Sequence, residues 1–224
     1  MNYTINMEAN KTALVIVDMQ KYYLLPESSY CRYFSDAQPG CLDYIYQRCK
    51  STVIPNIIEL INFFRANKSP VIFLKLCGKS PDRKDLHSFF ANTWEKGKSA
   101  GYKDVYPLES DQMADIIDEL NPPPNEKNTL AINKTTFSPF TRTNIDDKLK
   151  EMGIQTLVFT GLATSQCVET SARDSSDRGY NVIHIEDAQA DYSETFHNAS
   201  LFASQGVCGG FIYSTKEFIN LGFT

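Results

Sequence analysis

Five apolar residues in a row, stopped by a carboxylate, limit what this chain can become: ALVIVD at 13–18. A run so short and so uniformly apolar reads as a strand buried on both faces, the kind found inside parallel sheets. The pattern returns at VIFLKL (71–76), at 129–133, at TLVFT (156–160), at 182–185 and at 210–213. Between these runs the apolar spacing becomes helical. Val53, Ile54, Ile57, Ile58, Ile61 and Phe64 share one face of a helix over 53–67, with Pro70 beyond its end. Met113, Ile116, Ile117 and Leu120 predict a short acidic helix, closed by Asn121 and the prolines at 122–124. Asn144 with Asp147 opens another, which Gly153 ends. A helix after 161–166 runs to near Gly179, and a further one covers 193–205. The stretch 77–110 lacks a sustained period and reads as a long loop or short pieces, with Trp94 either walling a pocket or anchoring the loop.

Six strands, each followed by a crossover long enough for a helix, predict an α/β fold: a three-layer, doubly wound, six-stranded and mostly parallel sheet. No internal repeat or linker interrupts residues 1–224, so a single domain is expected. A chain of 224 residues buries roughly 70% of the surface its unfolded form exposes and needs no metal or disulfide staple. The net charge of −5 is spread without a basic patch, which argues against nucleic acid and anionic membrane as partners. The first apolar run is too short for a signal or a membrane span, so a soluble, cytoplasmic protein is expected. Six cysteines, at 31, 41, 49, 77, 167 and 208, form no CxxC and read as reduced thiols. The alternative is a secreted disulfide framework of Cys31, Cys41 and Cys49.

In doubly wound folds ligands sit beyond the carboxyl ends of the strands, near the point where strand order reverses. Three candidates fall there. Asp18 ends the first strand, Lys134 follows the third, and Cys167 follows the fourth through a Gly-Leu-Ala-Thr turn. Each alone has a plain reading, as a cap, a surface lysine or a small buried hydrophobe. Together they read as a nucleophile with its proton acceptor and its cation. If Ser165 is the N-cap, Cys167 lies at N2, where free amides and a nearby ammonium favour a thiolate. Asp18 then takes the thiol proton and returns it to a leaving amine, while turn amides receive the oxyanion. The three histidines, His87, His184 and His197, show no triad placement, and the first turn, DMQKYY, has no GxGxxG for a nucleotide.

ALVIVDMQ at 13–20, INKTTFSPF at 132–140 and GLATSQCVETSARDSSDRGYNVIHIEDA at 161–188 resemble the three blocks of isochorismatase-like cysteine hydrolases. That family includes nicotinamidases, N-carbamoylsarcosine amidases, ureidoacrylate amidases and biuret hydrolases, and the likeness spans about residues 11–213. The resemblance implies Asp18 as general base, Lys134 as the triad lysine and Cys167 as nucleophile. It also implies a non-proline cis peptide between Leu162 and Ala163, with the amides of Ala163 and Cys167 as oxyanion donors.

Departures narrow the expectation. Nicotinamidases carry an Asp-x-His…His metal motif after the second strand, where this chain has LCGKSPDRKDLHSFF, with His87 alone beside Asp82 and Asp85. No metal and no cofactor are therefore expected. The presence of Cys167 argues against the vinyl-ether chemistry of isochorismatases proper. The pattern left is that of metal-free amidohydrolases such as biuret hydrolase and N-carbamoylsarcosine amidase, which act on ureido or carbamoyl compounds. Tyr23 is either a substrate contact or a packed loop aromatic, and Gln205 either a substrate contact or an exposed residue closing a helix. The resemblance also implies a homo-oligomer, dimer or tetramer. The expected activity is hydrolysis of a C–N bond in a small amide, ureido or carbamoyl compound through a thioester. The alternative is a catalytically inactive homologue serving as a binding or scaffold protein, its pocket closed by the unassigned segments 21–50 and 77–110. A redox role for Cys167 is a third option, disfavoured because no resolving cysteine adjoins it in sequence.

Overall fold

A computed structural model describes residues 7–122, 126–206 and 210–224. Its six strands are β1 (Thr12–Val17), β2 (Val71–Leu76), β3 (Thr129–Lys134), β4 (Thr156–Leu162), β5 (Asn181–Ala190) and β6 (Phe211–Tyr213). They form one sheet in the order β3-β2-β1-β4-β5-β6, and every neighbouring pair is parallel. All residues of β1 and of β4 are buried, as their apolar runs require of central strands. Among the described residues nine α-helices flank the sheet: α1 (Lys21–Leu24), α2 (Ser29–Ala37), α3 (Asp43–Arg48), α4 (Ile54–Ala66), α5 (Ser88–Ser99), α6 (Ile145–Glu151), α7 (Glu169–Asp177), α8 (Glu194–Ser204) and α9 (Thr215–Leu221). Parallel neighbours need crossovers of one hand, so reversing the strand order at β1 and β4 puts helices on both faces.

The reversal point is built at close quarters. Val17 pairs with Gly161 on one side and Leu74 on the other, while Leu76 pairs with Lys134 one strand further out. Gly161 has φ +97°, and a Cβ there would lie 2.2 Å from the Val17 carbonyl oxygen. Only glycine lets β4 come this near to β1. One residue on, Asp18 takes φ +51°, a left-handed conformation that Asp tolerates better than most residues. This bends the chain off the strand. Gln20 fixes the bend: its amide nitrogen donates to the carbonyls of Leu76 and Ala114, and its oxygen accepts from the Leu76 N–H at 2.8 Å.

Several elements depart from the expectations. The stretch 77–110 contains α5, whose buried side is only Phe90, Trp94 and Gly97, so polar residues hide its period. Trp94 is a buried anchor between Arg83 and Lys98, whose charged groups lie 5.1 and 4.9 Å from its ring. The acidic helix expected at 113–120 is instead a single turn of 3-10 helix at Gln112–Ala114. The backbone after it is engaged elsewhere: Lys21 N–H donates to Asp115 O and Ile117 N–H to Met19 O, a non-helical pairing with the turn after β1. The prolines at 123 and 124, and Cys208, lie outside the described residues. The other five cysteines are free thiols, so Cys31, Cys41 and Cys49 make no disulfide framework. Among the described residues no helix is long and apolar enough to cross a membrane.

Candidate active site

The fold delivers Asp18, Lys134 and Cys167 to one point. Asp18 follows β1, Lys134 is the last residue of β3, and Cys167 sits in the π-helical turn Thr164–Val168 after β4. Lys134 Nζ donates to Asp18 Oδ2 at 2.8 Å, approaches Cys167 Sγ at 3.3 Å and donates to Thr136 O at 3.1 Å. An ammonium has three donors, and these three partners use all of them. The side chain is thus held in one position. All three residues are buried, Lys134 completely. Asp18 Oδ1 is buried with no hydrogen-bond partner among the described residues, which leaves one carboxylate oxygen open to a proton.

Electrostatics reverse one expectation. Burial pushes the Cys167 thiol well above its ordinary range, the Asp18 carboxyl adds to the rise, and Lys134 only partly opposes them. That direction favours a resting Cys167 thiol over the thiolate anticipated from a helix start and a lysine. Burial also raises Asp18, against the pull of Lys134. For Lys134 burial works downward, but Asp18 and Cys167 outweigh it and hold the ammonium above the ordinary lysine value. The local geometry agrees. The residue before the turn is Ala163, not Ser165, and Cys167 is the fourth residue of that turn, deeper than N2. Ser165 N–H instead donates to the buried Asp191 Oδ2 at 2.6 Å, a carboxylate that sequence reasoning missed.

The cis bond between Leu162 and Ala163 is not present: among the described residues every peptide is trans. Extended Ala163 (φ −88°, ψ 146°) carries the chain from β4 into the turn, and trans avoids the several kcal/mol of a non-proline cis bond. Both residues nevertheless line the chamber at the sulfur. Its floor is Leu162, Ala163, Gln166 and Cys167, and its cover is Tyr23, Tyr30, Leu42, Ile45 and Tyr192. The chamber is narrow, with about 10 Å³ open to the centre of a water molecule, room for about one water. It adjoins an outer cavity of about 640 Å³ by the same measure, and the two share Tyr30, Leu42, Gln166 and Tyr192. The cover comes mainly from the unassigned 21–50 segment, with Tyr23 in α1, Tyr30 in α2, Leu42 just before α3 and Ile45 within it, while 77–110 contributes Phe89 and Tyr106 to the outer cavity.

Tyr23 packs on Tyr22, Tyr30 and Tyr106, as a loop aromatic does, and it also lines the chamber at Cys167. Gln205 does not: it is exposed at the end of α8, where its N–H donates to Leu201 O, and it lines neither cavity. A side chain that closes a helix on the surface has no route to the sulfur without moving that helix end. His87 caps α5, its Nδ1 accepting from Phe89 N–H. Asp82 and Asp85 are taken up by the Ser80 turn. His197 holds the nucleophile turn from behind, between Thr164 Oγ1 at 2.8 Å and the Arg48 guanidinium at 3.0 Å.

Comparison with known proteins shows the family and the fold. The isochorismatase domain model matches residues 12–216. A ureidoacrylate amidohydrolase of Agrobacterium fabrum is 29% identical, over 96% of this chain and 86% of its own. Nicotinamidase 3 of Arabidopsis thaliana is 25% identical, over 90% and 82%. Among solved structures, a cysteine hydrolase from Pseudomonas syringae pv. phaseolicola superposes with a TM-score of 0.76 at 21% identity, covering 98% of this chain and 97% of that one. The N-carbamoylsarcosine amidase of Thermoplasma acidophilum gives a TM-score of 0.64 at 22% identity, covering 92% and 96%.

Proposed function

Since the chain belongs to the isochorismatase domain family, we propose that it is a cysteine amidohydrolase, opening the C–N bond of a small amide, ureido or carbamoyl compound. The observation that carries this reading is the single ammonium of Lys134, in contact with both the Asp18 carboxylate and the Cys167 sulfur. Asp18 takes the thiol proton as the sulfur attacks the carbonyl carbon, so the raised thiol is activated only when a substrate is present. The carbonyl oxygen gains the negative charge, and the backbone amides of Ala163 and Cys167 receive it. Asp18 returns the proton to the nitrogen, the C–N bond breaks, and ammonia or an amine leaves a thioester. Water, giving a proton to Asp18, attacks that thioester, and the proton goes back to the sulfur as the acid is released. Lys134 remains an ammonium throughout and steadies both anionic partners in turn.

The names of the relatives support the bond type: they act on ureidoacrylate and on nicotinamide, both through a C–N bond. An inactive scaffold has no such support, and this chain retains Asp18, Lys134 and Cys167 in contact. The family resemblance further supports reading the protein as a cytoplasmic homo-oligomer, dimer or tetramer. Ammonia release from a panel of small amides and ureas tests the function. Cys167→Ala should abolish every activity found, and activity that survives the substitution rules out the covalent route.

A further inference from the structure

Resting on the amidohydrolase reading, we infer that the substrate is uncharged: a neutral amide or urea bearing a flat apolar or aromatic substituent, and not an acid. Among the described residues, no Lys, Arg, His, Asp or Glu lines either the chamber at Cys167 or the outer cavity. The walls are tyrosines, phenylalanines and aliphatic side chains, with Gln166 and Gln38 as the amides. A carboxylate entering here loses its water and meets no cation.

The charges behind the walls sharpen the point. Asp18 and Asp191 are buried carboxylates on either side of the nucleophile turn, and Lys134 is the ammonium between Asp18 and the sulfur. Its three donors are already used, so it has none to offer a substrate anion. Asp18 is matched by Lys134, and behind the turn the charge of Asp191 is matched by that of the Arg48 guanidinium, which reaches Thr164 through His197, so no unmatched cation is left for an anion. An anionic ligand finds no free cation there to replace its water, and a neutral one needs none.

The fittings that are present suit a neutral ligand. Hydroxyls of Tyr23, Tyr30 and Tyr192, with the Gln166 amide, both donate and accept, as an uncharged amide does. Beyond them Phe34, Phe89, Tyr106 and Phe196 present ring faces and edges around the outer cavity, enough to stack a planar substituent. Such a substituent lies in the outer cavity while its amide reaches through the four shared residues to the sulfur.

Two alkylating agents of one size separate the charge question from turnover. Iodoacetamide and iodoacetate are applied separately to the whole protein, and modification of Cys167 is followed by mass spectrometry. The same pair applied to free N-acetylcysteinamide gives the intrinsic ratio. The neutral reagent should be favoured at Cys167 at least tenfold more than at the free thiol. A ratio equal to or below that of the free thiol overturns the inference, as does a Cys167 that reacts with neither reagent. Turnover of matched ureas, one ending in a carboxylate and one in the corresponding carboxamide, gives the second measurement. Preference for the acid defeats the neutral-substrate inference and leaves the amidohydrolase reading standing. Failure of every amide and urea defeats the amidohydrolase reading, while the alkylation ratio still decides the charge that the chamber admits.

Discussion

Tyr30 and Tyr192 share a hydrogen bond of 2.6 Å between their hydroxyls, spanning the passage from the outer cavity to the Cys167 sulfur. One residue comes from α2 and the other from the junction of β5 and α8, so the bond ties a cover segment to the sheet edge. With room inside for about one water, a substrate enters only after this pair separates. Tyr192→Phe removes one hydroxyl and leaves the ring. A neutral hydrogen bond of about 1 kcal/mol then no longer holds the passage shut, and alkylation of Cys167 by iodoacetamide should speed up about fivefold. An unchanged rate would show that the barrier lies elsewhere.

Lys134→Met leaves Asp18 buried without its cation. Removing one partner of a buried pair typically costs about 3–5 kcal/mol, and Asp18 responds by taking up a proton. Amide hydrolysis should fall at least about a hundredfold, because a protonated Asp18 cannot accept from the thiol. Adding Asp18→Asn to the lysine variant removes the cost of protonating that buried carboxylate and should restore part of the stability but none of the activity. Urea denaturation and ammonia release on the single and double variants check both halves. A double variant no more stable than Lys134→Met would mean that the Asp18 carboxylate was not the source of the loss.

How far the sequence carried this reading depends on which signals are local. The buried runs of β1, β2 and β4 are continuous and apolar, so the strands and their parallel order were legible. The meeting of Asp18, Lys134 and Cys167 was legible because each sits within a few residues of a strand end. The chamber's cover was not. Tyr30 and Ile45 belong to short helices, and Leu42 to the turn before one, in a tyrosine-rich stretch whose spacing does not show what it packs against. Tyr192 and Asp191 were missed because their role depends on β5 running on to Ala190, well past the apolar run at 182–185. The acid state of Cys167 was misjudged for a related reason: burial, which decides it, is a property of the packed sheet and not of neighbouring residues in sequence. Gln205 was open between a substrate contact and an exposed helix end, and the second holds, because sequence does not say which way a helix end faces.

Gly161→Ala tests the close approach of β1 and β4. A Cβ would stand 2.2 Å from the Val17 carbonyl oxygen, and backbone rather than a flexible side chain would have to give way. Steric overlap and the left-handed conformation together should cost about 3 kcal/mol. Gly153→Ala supplies the comparison: its φ is +71°, but nothing lies within 4 Å of the added carbon. That variant bears the conformational strain alone, about 1 kcal/mol. The Gly161 variant should also lose activity beyond its loss of stability, since displacing β1 moves Asp18. Equal urea midpoints for the two variants would remove the steric argument.

His197 makes the nucleophile turn sensitive to acid. Arg48 can only donate, so His197 Nε2 accepts from it and Nδ1 carries the proton toward Thr164 Oγ1. Burial first, then the Arg48 and His184 charges, lower its pKa from 6.5 to about 4. The native imidazole stays neutral while the unfolded one takes up a proton. Stability is therefore fully present above pH 6.5 and is lost as pH falls toward 4, by up to about 3 kcal/mol. His197→Gln removes that titration. Urea midpoints measured between pH 7 and pH 4 should fall less steeply for the variant than for the natural protein, and the two curves should converge toward the acid end. Parallel curves would mean that the imidazole charges as readily in the fold as in the open chain, which the guanidinium facing it forbids.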